Sequence, residues 1–275
     1  MAGYRKVAFL TSVLLCCTSF LFGQKITVAA ASDLQFVLRE VADRFQKDTG
    51  TQVELIFGSS GNLFTQIQNG APFDVFFSAD SEYPKKLESD GFVEPGTSYR
   101  YATGKIVLWT RKESKLDLSQ GLEVLRDASI KKIAIANPEH APYGRAAVAA
   151  MRKSNLYDQV ADKLVLGENI SQTATFVASG NADIGIIALS LALVPAISQQ
   201  GRCGKIPSEA YPAIEQAAVV LKASKQKGLA EAFLKLLKDP QIILLMQKNG
   251  FTVPGASDAA QDGKGSSREQ TLACM

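Results

Sequence analysis

Short apolar runs and amphipathic stretches alternate along the chain from residue 25 onward. The first run, "KITVAAA" at 25–31, is typical of a buried strand. Ser32 and Asp33 follow it, where the N-cap of a helix is expected. The apolar residues after them recur every three or four positions and so share one helical face. These residues are Leu34, Val37, Leu38, Val41, Ala42 and Phe45.

The alternation continues to residue 250 and predicts an α/β fold, because strands that alternate with helices form mostly parallel sheets with helices on both faces. Further strands are predicted at 52–58, 73–79, 104–110, 131–137, 163–169, 182–190 and within 213–223. Helices are predicted after Ser59 or Ser60, and at 82–91, 142–155, 171–180 and 228–250.

The span from 25 to 255 is long for one open sheet, so we expect two lobes, each with its own sheet. Lobe 1 is predicted to comprise 25–106 and 212–255, and lobe 2 to comprise 107–211. A strand at 101–109 would leave the first lobe, and a strand at 214–222 would return to it.

The two ends of the chain differ from the middle. Residues 1–24 combine a basic start, an apolar run and Gly23, which predicts a secretory signal peptide. A membrane anchor is one alternative, although a spanning helix usually needs about 20 apolar residues. A lipid anchor at Cys16 or Cys17 is another, but the preceding "VLL" lacks the small residue that processing favours. Residues 256–275 are polar without an apolar period, which predicts a disordered tail.

Charge and composition exclude several classes of function. A net charge of +3 is too small to indicate a nucleic-acid partner. His140 is the only histidine, so no histidine pair can bind a metal, and Cys203 and Cys274 form no zinc pattern. We therefore expect no metal bound by protein side chains.

Four segments rich in small polar residues lie where a strand ends and a helix begins: 29–34, 57–63, 137–146 and 167–173. Ligands of open α/β sheets bind at such positions. The first N–H groups of a helix have no partner within it and carry the positive end of its dipole. Several of them around one cavity would bind a small anion.

Two other interpretations of these segments stay open. Serine and aspartate at a helix start often serve only as caps, and "GSSG" at 58–61 lacks the lysine of a phosphate-binding loop. Ser60 with His140 could form the nucleophile and base of a hydrolase, although no G-x-S-x-G pattern supports it.

Taken together, these segments resemble the molybdate-binding periplasmic proteins of ABC transporters, which have the type II periplasmic-binding fold with a ligand cleft between two lobes. The resemblance extends from about Lys25 to Pro254. Its most specific motifs are "NGAPFDVFFSAD" and "NPEHAPYG"; "AAASDL", "GSSGNLFTQIQ", "YATGKIVLW", "GENISQT" and "ADIGIIALS" accompany them.

The resemblance implies five ligand-binding residues. Ser32 and Ser60 would donate hydroxyl groups, and backbone amides at Asp33, Ser60, Tyr143 and Ile170 would complete the site. Some relatives place a tyrosine hydroxyl on the ligand from the strand that has Ala188 here, so the Tyr143 hydroxyl is a candidate replacement.

Asp33 is a second departure, since a neutral residue stands in its place in some relatives. Its carboxylate would repel an anion, so we expect the side chain to turn away.

The function implied by the resemblance is capture of molybdate, and of tungstate, in the periplasm and delivery to an ABC permease in the membrane. Molybdenum would be present only within the bound oxyanion, with no other cofactor, and the protein would be a monomer without enzymatic activity. The alternatives are a receptor for sulfate or phosphate and the serine hydrolase described above.

Overall fold

The computed structural model describes residues 24–256. Almost all of the predicted signal peptide (1–24) and of the predicted tail (256–275) lies outside these residues. Among the helices of the described part, none is both long and apolar enough to cross a membrane.

Ten strands form two five-stranded sheets. Their order is β2-β1-β3-β10-β4 in the first sheet and β7-β6-β8-β5-β9 in the second. The strands are β1 Lys25–Ala31, β2 Gln52–Gly58, β3 Val75–Ser78, β4 Tyr99–Gly104, β5 Ile106–Arg111, β6 Ile133–Ala136, β7 Leu164–Gly167, β8 Ile184–Ala188, β9 Gly201–Lys205 and β10 Ile214–Val220.

Helices cover both sheets. The α-helices are α1 Val37–Thr49, α2 Ser60–Gln68, α3 Glu82–Ser89, α4 Pro142–Lys153, α5 Tyr157–Val160, α6 Ile170–Ala178, α7 Leu189–Ala192, α8 Pro195–Ser198, α9 Lys227–Leu236 and α10 Pro240–Lys248. Short 3₁₀ segments occur at Ser32–Leu34, Leu118–Arg126, Ala161–Lys163 and Ser208–Ala210. We call each sheet with the helices packed on it a lobe, lobe 1 being the one that contains β1.

Each sheet is mostly parallel, as the sequence predicts. In lobe 1, β1 is parallel to β2 and β3, whereas β10 is antiparallel to β3 and β4. In lobe 2, β6 is parallel to β7 and β8, whereas β5 is antiparallel to β8 and β9. One strand in each sheet, β10 in lobe 1 and β5 in lobe 2, therefore runs antiparallel to the other four. The carboxyl ends of β1, β2, β6 and β7, which precede helices, face the same cleft between the lobes.

The chain changes lobes at Lys105, which separates β4 from β5. The prediction of one strand over 101–109 is wrong, because Thr103 pairs with Glu215 in lobe 1 and Val107 pairs with Ile187 in lobe 2. Strand β9 was not predicted, because its sequence "GRCGK" has no apolar pattern. The chain returns to lobe 1 between β9 and β10.

The start of the first helix also differs from the prediction. Ser32 and Asp33 do not cap it, since they form a separate 3₁₀ turn with Leu34 and α1 begins at Val37. Both side chains are buried and bond to other elements instead.

The core of each lobe follows the predicted pattern. Side chains alternate across β1, so that Val28 packs with α1 and α9 on one face while Ala29 packs with α2 and α3 on the other. One continuous cluster in lobe 2 includes Trp109 and surrounds β5, β6 and β8. These rigid sheets fix where the helices of the cleft begin.

Candidate functional site

All five residues predicted to bind a ligand line one small cavity between the lobes. The cavity is narrow, with a volume of about 10 Å³, which is room for about one water-sized group. Its lining comprises Ala31, Ser32, Asp33, Gly58, Ser59, Ser60, Ala79, Ala141, Pro142, Tyr143 and Ile170. The four strand-to-helix segments of the sequence thus meet at one place, and lobes 1 and 2 both contribute to it.

Ser60 is the first residue of α2 and is fully buried. The Ser59 hydroxyl caps the helix by accepting a hydrogen bond from the Asn62 N–H at 3.4 Å. The Ser60 Oγ accepts a hydrogen bond from the Ala79 N–H at 2.9 Å, which orients the hydroxyl and leaves its proton for another acceptor. The Ser60 amide, at the first helical position, has no acceptor within the helix.

Ile170 has the same position at the start of α6 in lobe 2. Asn169 caps this helix, because its side-chain oxygen accepts from the amides of Ser171 and Gln172, both at 3.0 Å. The Ile170 amide precedes both and has no acceptor within the helix. The cap therefore satisfies the neighbouring amides and leaves the amide at the cavity for a ligand.

Ser32 joins the two lobes at this point. Its hydroxyl donates to the Asn169 oxygen at 3.1 Å and accepts from the Ser171 amide at 3.3 Å. The side chain of Gln35 accepts a further bond from the Ser171 hydroxyl at 3.1 Å. In this arrangement a bound anion would compete with Asn169 for the Ser32 proton.

Tyr143 lies in the first turn of α4, after Pro142. Its hydroxyl donates to Asp33 Oδ2 at 2.9 Å and accepts from Gln216 Nε2 at 2.9 Å. The hydroxyl proton is therefore already used within the protein. This geometry favours the backbone amide of Tyr143, rather than its hydroxyl, as the group available to a ligand.

Asp33 is buried, with 1% of its surface exposed. Its Oδ2 accepts bonds from Tyr143 and, at 2.7 Å, from Gln216. Its Oδ1 is buried without a hydrogen-bond partner. Burial raises the pKa of this carboxyl to about 6, although the bonds from Gln216 and Tyr143 oppose the shift. Asp33 thus lines the cavity with a carboxyl group that is shielded from solvent.

Ala188 ends β8 and is fully buried. It offers no hydroxyl to the cavity.

The rim of the cleft differs in character from the cavity. Arg145 of α4 forms an ion pair with Asp80, which follows β3, and contacts the Tyr83 hydroxyl at 3.5 Å. Asp80 also accepts bonds from the amides of Glu82 and Tyr83 at the start of α3. Burial raises the pKa of Asp80, and Arg145 partly offsets that increase.

His140 contacts the other serine of the turn, with 2.9 Å between its Nδ1 and the Ser59 Oγ. The Ser60–His140 pair of the hydrolase interpretation is therefore not formed. The His140 carbonyl accepts a bond from the Gly61 amide at 2.8 Å, which is another link between the lobes.

A larger cavity of about 300 Å³ lies next to the rim. Its lining includes the carboxylates of Asp80, Glu82 and Glu215 against the single guanidinium of Arg145. This excess of negative charge makes it less suited to an anion than the small cavity. No group of three metal-binding side chains occurs within residues 24–256.

Gln216 and Asn169 support the site but were not predicted. A signal for Gln216 exists in the sequence, since it is a polar residue within the apolar strand "IEQAAVV" and is fully buried. Its bonds to Asp33, Tyr143 and Tyr101 could not be predicted, because they join residues more than 70 positions apart.

Comparisons with known proteins show the family of the chain. Residues 26–252 match the family described as bacterial extracellular solute-binding protein. The molybdate-binding protein ModA of Azotobacter vinelandii is 38% identical over 90% of this chain and 96% of its own length. The ModA of Rhodobacter capsulatus is 37% identical over 82% of this chain and 88% of its own.

A solved structure, the periplasmic molybdate-binding protein of Azotobacter vinelandii, superimposes with a TM-score of 0.79 at 36% identity. The match covers 83% of this chain and 99% of that protein.

Proposed function

The chain belongs to the bacterial extracellular solute-binding proteins, and from this premise we propose that it captures molybdate in the cavity between its lobes. The observation that carries the proposal is the convergence of hydroxyl and amide donors from separate helix starts on one cavity. Two relatives of at least 37% identity that are named for molybdate binding support it.

Neutral donors suit a small dianion. Hydrogen bonds to an ionised acceptor are roughly twice as strong as those between neutral groups. The buried hydroxyl of Ser60 and the amides of Ser60 and Ile170 would replace water around the anion, and the low local dielectric would strengthen these bonds. Among the residues that line the described cavity, none is a lysine or arginine.

Ligand capture would stabilise the closed arrangement of the lobes. Ser60 belongs to lobe 1 and Ile170 to lobe 2, so an anion bonded to both favours the conformation in which they are close together. The closed form presents both lobes in one relative geometry, which a membrane permease can distinguish from the open form. We therefore propose that the loaded protein delivers its anion to an ABC permease from the periplasm, as a monomer.

The remaining features of the function follow from the same chemistry. Tungstate has the shape and charge of molybdate and should bind as well, whereas sulfate has shorter bonds and would leave some donors too far away. The protein would need no further cofactor. The His140 ring contacts the Ser59 hydroxyl rather than that of Ser60, which gives no support to a hydrolytic activity.

Isothermal titration of the leader-free protein with molybdate, tungstate, sulfate and phosphate tests the proposal. We expect one site per chain, with molybdate and tungstate bound more tightly than the other two anions. Tighter binding of sulfate or phosphate would contradict it, and so would the absence of binding by molybdate. Turnover of an ester substrate that Ser60→Ala abolishes would favour the hydrolase instead.

A further inference from the structure

Asp33 lines the anion cavity, and only one of its two carboxylate oxygens is hydrogen-bonded. Oδ2 accepts from Tyr143 and Gln216, at 2.9 and 2.7 Å. Oδ1 is buried and has no partner, while the residue itself lines the cavity. An unpartnered buried oxygen is unusual in folded proteins and often marks a functional position.

The groups that face Asp33 do not neutralise it. Tyr143 of α4 and Gln216 of β10 donate to it, and the Ser190 hydroxyl donates to its backbone carbonyl. Burial raises the pKa of the Tyr101 phenol of β4 well above its usual value, and the charges of Asp33 and Asp80 add to that increase. None of the ion pairs between described residues includes Asp33. Arg145, the cation of the rim, is paired with Asp80.

An ionised Asp33 would oppose capture of an anion, because two negative charges would share a site without a cation. A proton on Oδ1 reverses this effect. The carboxyl then becomes neutral, and its O–H is a donor at the one oxygen that lacks a partner. Oδ2 cannot take this role as readily, since it already accepts two bonds.

We propose that the protein takes up one proton from solution with each oxyanion, and that this proton stays on Asp33 Oδ1, whose O–H donates a hydrogen bond to the bound anion. The inference rests on the proposed function, since it concerns the same cavity. The ionised Asp33 carboxylate would repel the anion, whereas the protonated carboxyl would bind it through a hydrogen bond.

The direction of the pH dependence follows from two pKa values. Burial sets the pKa of Asp33 at about 6 in the protein without anion. A dianion next to the carboxyl raises that pKa further, because it disfavours the charged form. Below the pKa of Asp33 in the anion-free protein, the proton is already present and the affinity for the anion is constant. Between this pKa and the higher pKa of the complex, each binding event takes up a proton, so the affinity falls as the pH rises.

Calorimetry of molybdate binding at pH 7.5 in two buffers of different ionisation enthalpy counts these protons directly. For the wild-type protein we expect an uptake approaching one proton per anion. Between pH 6.5 and 8.5 we expect the affinity to fall by up to about tenfold per pH unit. Molybdate binding with no proton uptake and a flat pH profile would overturn the inference while leaving the proposed function intact. A failure to bind molybdate at any pH would instead contradict the proposed function.

Three variants test whether Asp33 is the group that takes up the proton. Asp33→Asn should bind without proton uptake and with a flat profile, because its amide is a permanent donor. Asp43→Asn, on the exposed face of α1, should behave as the wild type. Tyr143→Phe removes a bond that lowers the pKa of Asp33, so its affinity should begin to fall at a higher pH. A persisting proton uptake in a folded Asp33→Asn protein would overturn the assignment to Asp33.

Discussion

The small cavity and the rim of the cleft both join the two lobes, but they do so with different chemistry. In the cavity, neutral groups cross from one lobe to the other, such as the Ser32 hydroxyl that bonds to Asn169. At the rim, a charged pair of Asp80 and Arg145 crosses the cleft, and the arginine is more than one-third exposed. The cation is thus at the rim and already paired with a carboxylate, while Asp33, which lines the cavity, has one carboxyl oxygen without a hydrogen-bond partner.

This difference explains how a site can select one anion rather than attract all of them. A guanidinium in the cavity would bind most oxyanions by charge alone, with little sensitivity to size. Fixed amides and hydroxyls bind well only where the ligand places an oxygen at each donor. The rim pair can help closure, but partly exposed ion pairs contribute only about 0–1 kcal/mol to stability. Binding should therefore depend strongly on the cavity donors and weakly on Arg145.

The largest effect is expected from removal of the backbone donor at Ile170. Proline fits the first position of a helix and lacks only the N–H, and the extended backbone of Asn169 (φ −148°, ψ 174°) is compatible with a following proline. Ile170→Pro should weaken molybdate binding by about 1.5–3 kcal/mol relative to Ile170→Ala, which loses the side chain but keeps the amide. Equal affinities of these two variants in titration calorimetry would exclude the amide from the site.

Ser60→Ala tests the hydroxyl donor and should cost about 1–3 kcal/mol of binding free energy, since an anion oxygen loses its partner. The Ala79 amide also loses its acceptor, so thermal unfolding must be measured in parallel. Ser208→Ala, at an exposed position, is the control. An unchanged molybdate affinity for Ser60→Ala would show that this hydroxyl does not bind the ligand.

Arg145→Gln probes the rim. We expect a loss of at most about 1 kcal/mol in molybdate affinity, because the arginine stabilises closure and does not contact the anion. That loss should shrink with added salt, since a partly exposed pair is screened. A hundredfold loss of molybdate affinity that persists at high salt would place the Arg145 guanidinium in the binding site. Binding would then depend on the rim rather than on the cavity donors.

Tyr143→Phe should have the smallest effect when measured at pH 6. Its hydroxyl donates to Asp33 in the structure, so its removal should change molybdate affinity by less than about 1 kcal/mol. A larger loss at this pH would mean that the hydroxyl turns to the ligand and replaces the tyrosine absent at Ala188.

The sequence predicts the cavity better than it predicts the bonds around it. The capping serines place Ser60 at a helix start, because this signal is local, whereas the position of Ile170 at a helix start came from the family resemblance. The change of lobe at Lys105 left no such signal, since β4 and β5 are separated by one residue only. The partners of Asp33 come from positions 143 and 216, and only the packed lobes bring them together.

A crystal structure of the molybdate complex, with the metal located by its anomalous scattering, tests the central claim most directly. We predict one molybdenum peak in the cavity between Ser32, Ser60 and Ile170, with its oxygens bonded to hydroxyl and amide donors from both lobes. A peak coordinated by Arg145 at the rim, or by lysines on the outer surface, would contradict the account.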